Sequence, residues 1–214
     1  MLEEMAAFFE ARLDGYEEHM LEAIEGAADF YPFTAALLPE TPGAAVLDLG
    51  CGTGLELDWF FRRNPTARVT GIDLSQGMLD ALKAKHGQRA LTLAQGSYFD
   101  LPLGDSTFDA AVSVESLHHF TQAEKTGLYA RLHRALKPEG YFILTDYFAP
   151  TAALEALYRA EYLRKRGDQP ADVFYHYDTP LTVAHETQAL LAAGFSRVEA
   201  LARWENTYTL RATK

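Results

Sequence analysis

The sequence predicts an α/β fold: a doubly wound, mostly parallel seven-stranded sheet with helices on both faces. From residue 44 onwards, short apolar segments alternate with segments whose apolar residues recur every three to four positions, a pattern typical of strands and helices in a parallel sheet. Two β segments follow one another at the C-terminus, so an antiparallel C-terminal strand is expected. Residues 1–43 show helical periodicity only and predict an N-terminal helical cap.

The elements follow from this pattern in order. The cap is expected to contain two amphipathic helices over residues 2–14 and 16–38, separated at Gly15. Predicted strands span residues 44–49, 68–72, 91–94, 110–114, 141–145, 195–202 and 206–212, and predicted helices span 54–63, 75–86, 121–136, 151–166 and 180–193. Thr121 to Glu124 has the form of a capping box, and Pro180 is expected at the first position of the last helix.

Composition limits the classes of function. The chain has 214 residues, of which 48% are hydrophobic, so it predicts the cap followed by one domain over residues 44–214. Of the net charge of −11, residues 1–43 supply ten acidic side chains against one arginine. The scarcity of clustered lysine and arginine argues against nucleic acid and anionic membranes as partners. The acidic helices are either a solvated face or a cover that attracts a cationic ligand.

Cysteine usage and hydropathy suggest a compartment. The single cysteine, Cys51, excludes an internal disulfide framework and a zinc site built from cysteines. The acidic N-terminus does not resemble a signal peptide, and no apolar run approaches the ~20 residues needed to span a bilayer. We therefore predict a cytoplasmic protein.

The most informative segment is the glycine-rich turn Gly50–Gly54, which lies between a predicted strand and a predicted helix. A phosphate-binding P-loop needs a Lys-Ser/Thr pair where this chain has Leu55 and Glu56, and a dinucleotide fingerprint needs a glycine at residue 55. Carboxylates at Asp48 and Glu56 would repel a pyrophosphate. They would attract a ligand with an ammonium and a sulfonium, such as S-adenosylmethionine, whose ribose diol suits Asp73.

Four motifs occur in order over residues 44–147, and together they resemble the class I S-adenosylmethionine-dependent methyltransferases of small-molecule type. The motifs are Val46–Gly54, Val69–Ser75 with Met78, Phe108–Val114 with Leu117–Phe120, and Leu136–Gly140. The resemblance implies a Rossmann-like transferase that binds S-adenosylmethionine and releases S-adenosylhomocysteine.

The resemblance also implies roles for individual residues. The three glycines of the turn would lie against the methionine portion, Asp73 would accept from both ribose hydroxyls, and Leu74 and Met78 would pack on the adenine. Ser97 stands where family members commonly have an acidic residue that accepts from the adenine amino group. The full predicted cofactor set is Tyr16, Asp48, Gly50, Cys51, Gly52, Gly54, Asp73, Leu74, Met78, Ser97, Tyr98 and Glu115.

Methyl transfer from a sulfonium is an in-line displacement with a neutral leaving group, so alignment and exclusion of water are the enzyme's main tasks. Where the acceptor must lose a proton, His119 is the first candidate for a base and Glu115 the second. The expected acceptor is a small molecule, with a cationic one favoured by the acidic cap. Two alternatives stay open, a non-catalytic module that binds the same cofactor and a nucleotide-dependent oxidoreductase.

Two further segments can be interpreted either as ordinary structural features or as parts of the functional site. His118 and His119 are adjacent, and on an extended chain they would point in opposite directions, so no metal site is predicted. The polar and aromatic residues between Asp172 and Asp178 form either a surface loop or a loop that gates the substrate.

Overall fold

The computed structural model describes residues 1–170 and 172–214. The strands are β1 (Ala45–Leu49), β2 (Arg68–Asp73), β3 (Ala90–Gln95), β4 (Phe108–Val114), β5 (Leu136–Tyr147), β6 (Arg197–Trp204) and β7 (Thr207–Thr213). They form one sheet in the order β3-β2-β1-β4-β5-β7-β6. Only β7 runs antiparallel to its neighbours β5 and β6. The predicted doubly wound sheet with an antiparallel C-terminal strand is confirmed.

The helices are α1 (Met5–Glu10), α2 (Tyr16–Ala23), α3 (Ala27–Ala36), α4 (Leu55–Arg63), α5 (Gln76–His86), α6 (Gln122–Ala135), α7 (Ala152–Arg166) and α8 (Val183–Ala192). The predicted helix over 16–38 is divided at Gly26, whose φ of +81° is incompatible with a continuous helix. The prediction that Pro180 begins the last helix is wrong. Backbone hydrogen bonds hold Thr179 and Leu181 in a loop, and the helix begins after Thr182, which caps it by accepting from His185 N at 3.2 Å.

The sheet is covered on both faces, which explains why its central strands are apolar throughout. All five residues of β1 are buried. Leu47 belongs to the cluster that contains Leu132 of α6, whereas Val46 belongs to the cluster that contains Phe60 of α4. Alternate side chains of one strand thus enter opposite halves of the core. The predicted capping box of α6 is also present, with Glu124 accepting from the backbone N of Thr121 at 2.7 Å.

The N-terminal helices divide into two parts. α3 packs into the body, where the Thr34 hydroxyl lies 2.5 Å from the Thr145 hydroxyl of β5. The first residues instead pair with the segment that follows α7, because Met5 N donates to Phe174 O and His176 N donates to Glu3 O. A domain boundary at residue 43 stays a prediction. Among the described residues, no helix is both long and apolar enough to cross a membrane.

Candidate functional site

The turn after β1 requires glycine. Gly50, Gly52 and Gly54 have φ values of +73°, +48° and +78°, which other residues rarely adopt. A Cβ on Gly50 would lie 2.0 Å from the Ser116 hydroxyl, and one on Gly54 would lie 2.5 Å from Leu82 Cδ1. The turn lies at the carboxyl end of β1, between β2 and β4, where open α/β sheets bind their ligands.

Asp73 ends β2 beside this turn. Its Oδ2 accepts from Gly52 N and its Oδ1 accepts from Ser75 N, both at 2.9 Å. Burial raises the pKa of Asp73, and these backbone hydrogen bonds oppose the rise. The carboxylate is therefore held rigidly, and each oxygen keeps a lone pair for a hydroxyl of a ligand.

A cavity of about 50 Å³, hereafter the smaller cavity, lies over the turn. It is lined by Met5, Phe9, Tyr16, Gly50, Gly52, Asp73, Leu74, Met78, Tyr98, Val114, Glu115, Ser116 and His119. The structure thus brings together eight of the twelve predicted cofactor residues and also His119. Met5 and Phe9 were not predicted, because their contribution depends on how α1 folds back over the sheet.

The remaining four predicted residues lie outside this lining. Asp48 and Cys51 are buried at 1% and 3% exposure, and Gly54 packs against Leu82. The Ser97 hydroxyl accepts from Phe99 N at 3.0 Å, so it braces its own turn.

Asp48 and Glu56 form a buried pair of carboxyl groups behind the glycine turn. Burial raises the pKa of both, and the neighbouring Glu56 raises that of Asp48 further, so Asp48 keeps its proton and donates to Glu56. Within the part of the chain that the structure describes, Asp48 Oδ2, Glu56 Oε1 and Thr53 Oγ1 have no hydrogen-bond partner. Each unpartnered buried oxygen costs free energy, so three of them next to one turn call for an explanation.

Tyr16 places a neutral hydroxyl group beside the turn. Its hydroxyl lies 3.8 Å from the position of a Cβ on Gly52. Burial raises the pKa of Tyr16, and the carboxylates of Asp73, Glu56 and Glu115 raise it further. No lysine or arginine is among the described residues that line the smaller cavity. The residues present therefore fit a cofactor that carries positive charge and a ribose diol, and they disfavour a pyrophosphate.

A second cavity of about 800 Å³, the larger cavity, adjoins the first and shares Phe9, Tyr16, Glu115 and His119 with it. This volume is in the range of small-molecule sites. Its other lining residues are Phe8, Ala11, Arg12, Asp14, Gly15, His19, Met20, Ala23, Ile24, Glu25, His118, Tyr147, His176, Asp178, Trp204, Glu205, Asn206 and Thr207. Four imidazoles and five carboxyl groups are in this lining, with Arg12 its only arginine or lysine among the described residues.

Glu115 lies at the junction of the two cavities. It follows β4 with a φ of +49°, a strained conformation that is frequent at functional sites. Its Oε1 accepts from the Thr207 hydroxyl at 3.2 Å. Burial, together with the charge of Asp146, raises the pKa of Glu115 to about 8.

The expectation that His118 and His119 point apart is wrong, because residues Leu117–His119 form a turn of 3₁₀ helix and not an extended segment. Their ring centroids are 4.0 Å apart. Asp178 Oδ1 lies 3.5 Å from His118 Nε2 and 3.3 Å from His119 Nδ1. Burial lowers the pKa of His119, and the neighbouring His118 lowers it further. Neutral His119 can therefore accept a proton.

Asp178 belongs to the polar segment that the sequence left as either a surface loop or a gating loop. In the structure this segment pairs with the N-terminus and supplies His176 and Asp178 to the larger cavity. The His176 ring stacks on Phe8 with centroids 3.5 Å apart. The composition of this loop is evident in the sequence, but no local signal predicts its contacts with Glu3 and His118, which lie more than 50 residues away along the chain.

Comparisons with known proteins agree with this site. Residues 47–144 match the family model described as "Methyltransferase domain". A carboxy-S-adenosyl-L-methionine synthase of Wolinella succinogenes is 32% identical over 234 aligned positions, which cover 99% of this chain and 92% of that protein. A fatty-acid O-methyltransferase of Mycolicibacterium smegmatis is 34% identical over 116 residues, or 54% of this chain, but the match spans only 41% of that relative's length.

The fold is shared with solved structures. An S-adenosylmethionine-dependent methyltransferase from Mesorhizobium loti superposes with a TM-score of 0.63 at 23% identity, over 86% of this chain and 96% of that one. Because the Wolinella relative is matched over nearly its whole length, family membership extends beyond the central motifs. The chain belongs to the class I S-adenosylmethionine-dependent methyltransferases.

Proposed function

We propose that this chain transfers a methyl group from S-adenosylmethionine to a small molecule bound in the larger cavity. The observation that carries the proposal is the set of acidic side chains around the glycine turn, Asp48, Glu56, Asp73 and Glu115, of which Glu56 and Asp73 carry the negative charge, without a lysine or arginine in the described lining of the smaller cavity. A ligand with an ammonium and a sulfonium compensates this charge.

Different residues of the smaller cavity would contact different parts of the cofactor. The turn glycines admit close approach of the methionine portion, Asp73 accepts from the ribose hydroxyls, and Leu74 and Met78 offer apolar contact to the adenine. When bound, S-adenosylmethionine supplies an activated methyl group. At about 50 Å³ the smaller cavity is below the size of a ligand site, so the cofactor would also occupy part of the larger cavity, which shares Phe9, Tyr16, Glu115 and His119 with it.

The larger cavity would align the acceptor with the cofactor. Glu115 and His119 line both cavities, so they face the boundary at which methyl transfer would occur. Of the two, His119 is the better candidate for a base, because the same burial that keeps it neutral raises the pKa of Glu115 and keeps its carboxyl protonated near neutral pH. The carboxylates of the larger cavity favour a cationic acceptor.

A second candidate is synthesis of carboxy-S-adenosylmethionine, favoured by the nearly full-length match to the Wolinella relative of that name. That product carries an extra carboxylate, which needs a cationic partner beside the cofactor. The larger cavity offers Arg12 for this purpose, but it also holds five carboxylates. Methyl transfer is therefore the better supported of the two activities, while the non-catalytic module and the oxidoreductase gain no support from the geometry.

Thermal unfolding with S-adenosylhomocysteine, NAD and NADP at equal concentrations tests the cofactor. At 100 times its dissociation constant a ligand stabilises by about 2.7 kcal/mol, which raises Tm by several degrees. We expect a rise with S-adenosylhomocysteine only, lost in Asp73→Ala and kept in Asp80→Ala. Asp80 is a suitable control because it is exposed, lines neither cavity and accepts a hydrogen bond from Gln76 on the same helix, α5. A larger rise with a dinucleotide would overturn the proposal.

Turnover separates the two candidate activities. Incubating the protein with S-adenosylmethionine and a panel of amines, alcohols and carboxylic acids, followed by mass spectrometry, reports both a methylated acceptor and a carboxylated cofactor. We expect the first product. Detection of the second product would assign the chain to the alternative activity.

A further inference from the structure

The larger cavity contains a group of side chains whose geometry is suited to a metal ion. His118, His119 and Asp178 present one ligand atom each, all within 4.8 Å of one another. Asp178 Oδ1 lies 3.5 Å from His118 Nε2 and 3.3 Å from His119 Nδ1. Zn²⁺ binds nitrogen and carboxylate oxygen at about 2.0–2.2 Å, so tetrahedral ligands are separated by roughly 3.3–3.5 Å. The two nitrogen-oxygen distances match this separation.

A second shell supports the first of these ligands. The Nδ1 atom of His118 lies 2.6 Å from Asp146 Oδ1. Asp146 is itself 1% exposed and accepts from Leu117 N and Tyr147 N, both at 2.9 Å. A histidine ligand that donates its other nitrogen to a fixed carboxylate is the usual arrangement in metal sites, because it orients the ring and selects the tautomer.

In an overlapping set, Glu115, His118 and Asp146, the ligand atoms also lie within 4.8 Å of one another. It is the weaker candidate. Its contact between Glu115 Oε2 and His118 Nδ1 is 3.9 Å long, and it would use the nitrogen already bonded to Asp146. The set with Asp178 leaves that hydrogen bond intact and uses the free nitrogen of His118.

We propose that His118, His119 and Asp178 bind one divalent transition-metal ion, with Zn²⁺ the best match. Two imidazoles and one carboxylate form a three-ligand set of the kind found in catalytic sites, which keep a coordination position open. All three residues line the larger cavity, so the open position faces the space for a small molecule. On the proposed function, on which this step rests, an oxygen atom of the acceptor would complete the coordination sphere. The ion, and not His119 acting as a base, would then favour loss of the acceptor's proton, because a metal-bound imidazole has no free lone pair to accept it.

The alternative to a bound metal ion is a proton on His118. Burial alone would lower the pKa of His118, but Asp146 and Asp178 outweigh it and raise that pKa well above its ordinary value. A protonated His118 between two carboxylates would therefore also hold the cluster together. A metal ion must displace that proton to bind, so direct measurement of metal binding distinguishes the two arrangements.

The full chain, stripped of metal by dialysis against a chelator, is titrated with Zn²⁺ by calorimetry and with Co²⁺ by visible absorption. We expect one ion per chain and the absorption of Co²⁺ in a tetrahedral site. His119→Gln and Asp178→Asn should each weaken Zn²⁺ binding at least tenfold. Asp146→Asn should weaken it 10–100-fold and leave the stoichiometry unchanged, as second-shell substitutions do.

His185→Gln is the matched control, because His185 also faces a single carboxylate, with its Nδ1 2.8 Å from Glu155, on another part of the surface. We expect this variant to bind Zn²⁺ as the parent does. Unchanged binding in both His119→Gln and Asp178→Asn, or no stoichiometric binding in a folded parent chain, would overturn the metal site. Binding of S-adenosylhomocysteine, measured on the same samples, separates this outcome from failure of the proposed function.

Discussion

Buried acidic side chains occur on both faces of the sheet, but only on one face does the buried acid contact a cationic side chain. Between α6 and α8, Glu186 is fully buried, with one oxygen 2.6 Å from Lys125 Nζ and the other accepting from the Tyr129 hydroxyl. Beside the glycine turn, Asp48 and Glu56 are almost as deeply buried, and among the described residues neither forms a salt bridge. Lys85 lowers the pKa of Glu56 through its charge but pairs directly with Glu17 and Asp58. One buried acid therefore has a cation in direct contact, and the other pair does not.

The difference separates structural groups from candidate ligand-binding groups. A buried carboxylate without a counter-ion destabilises the folded state unless it is protonated or binds a cation. Glu186 needs no further partner, so its role is to join α6 to α8. Asp48 and Glu56 keep unpartnered oxygens next to a turn of positive-φ glycines, which is the pattern expected where an external cationic ligand completes the site.

The largest effect is expected on the free energy of unfolding when the Lys125–Glu186 pair is broken. Lys125→Met removes the cation and leaves Glu186 buried without it, which should lower the free energy of unfolding by about 3–5 kcal/mol. Urea denaturation followed by circular dichroism measures this loss. Binding of S-adenosylhomocysteine should be unchanged at temperatures where the variant is folded, because neither residue of the pair lines either cavity.

The double variant Lys125→Met/Glu186→Gln is the control for this prediction. It removes both charges and leaves an amide oxygen to accept from the Tyr129 hydroxyl, so most of the lost stability should return. If the double variant were as unstable as Lys125→Met alone, packing and not charge compensation would explain the loss, and the contrast between the two faces would not hold.

A structural feature can be predicted from the sequence when the residues that determine it are close together along the chain. The sheet and its helices follow from local periodicity, and the glycine turn follows from a contiguous motif with its own backbone requirement. The partner of Lys125 lies 61 residues away, and nothing local distinguishes it from a surface lysine. The break at Gly26 was missed because a glycine inside a helical pattern is tolerated at modest cost.

The same limit applies to the candidate site. Residues on the strand ends could be placed by motif, as Asp73 and Glu115 were. The meeting of Asp178 with the His118–His119 turn depends on a loop that returns from the far end of α7. An extended segment would hold the two imidazoles apart, whereas the 3₁₀ turn at residues 117–119 brings their ring centroids to 4.0 Å.

An intermediate effect is expected on the affinity for the cofactor when the Asp48–Glu56 pair is changed. Glu56→Gln removes a buried negative charge behind the turn, so S-adenosylhomocysteine, which carries an ammonium, should bind about tenfold more weakly, a difference of about 1.4 kcal/mol. S-adenosylmethionine carries a sulfonium as well, so its affinity should fall further. Calorimetric titration with both ligands measures the two losses.

Glu40→Gln is the control for this prediction, because Glu40 is an exposed glutamate that pairs with Arg63 at the surface. It should leave both affinities unchanged. Equal affinities of the parent and Glu56→Gln for both ligands would show that the buried pair has no part in binding.

The smallest effect is expected on the stability of the ligand-free protein. Because the folded-state pKa of Asp48 is raised above its ordinary value of 3.8, the folded chain holds a proton that the unfolded chain releases. The free energy of unfolding therefore falls as the pH rises above about 4. Asp48→Asn lacks this proton, and its amide can still donate to Glu56. The variant should match the parent near pH 4 and exceed it by about 1 kcal/mol, or roughly 2–4 °C in Tm, at neutral pH. Thermal unfolding at several pH values tests this difference, and a gain that shrinks as the pH rises would contradict the assignment of Asp48 as the protonated member of the pair.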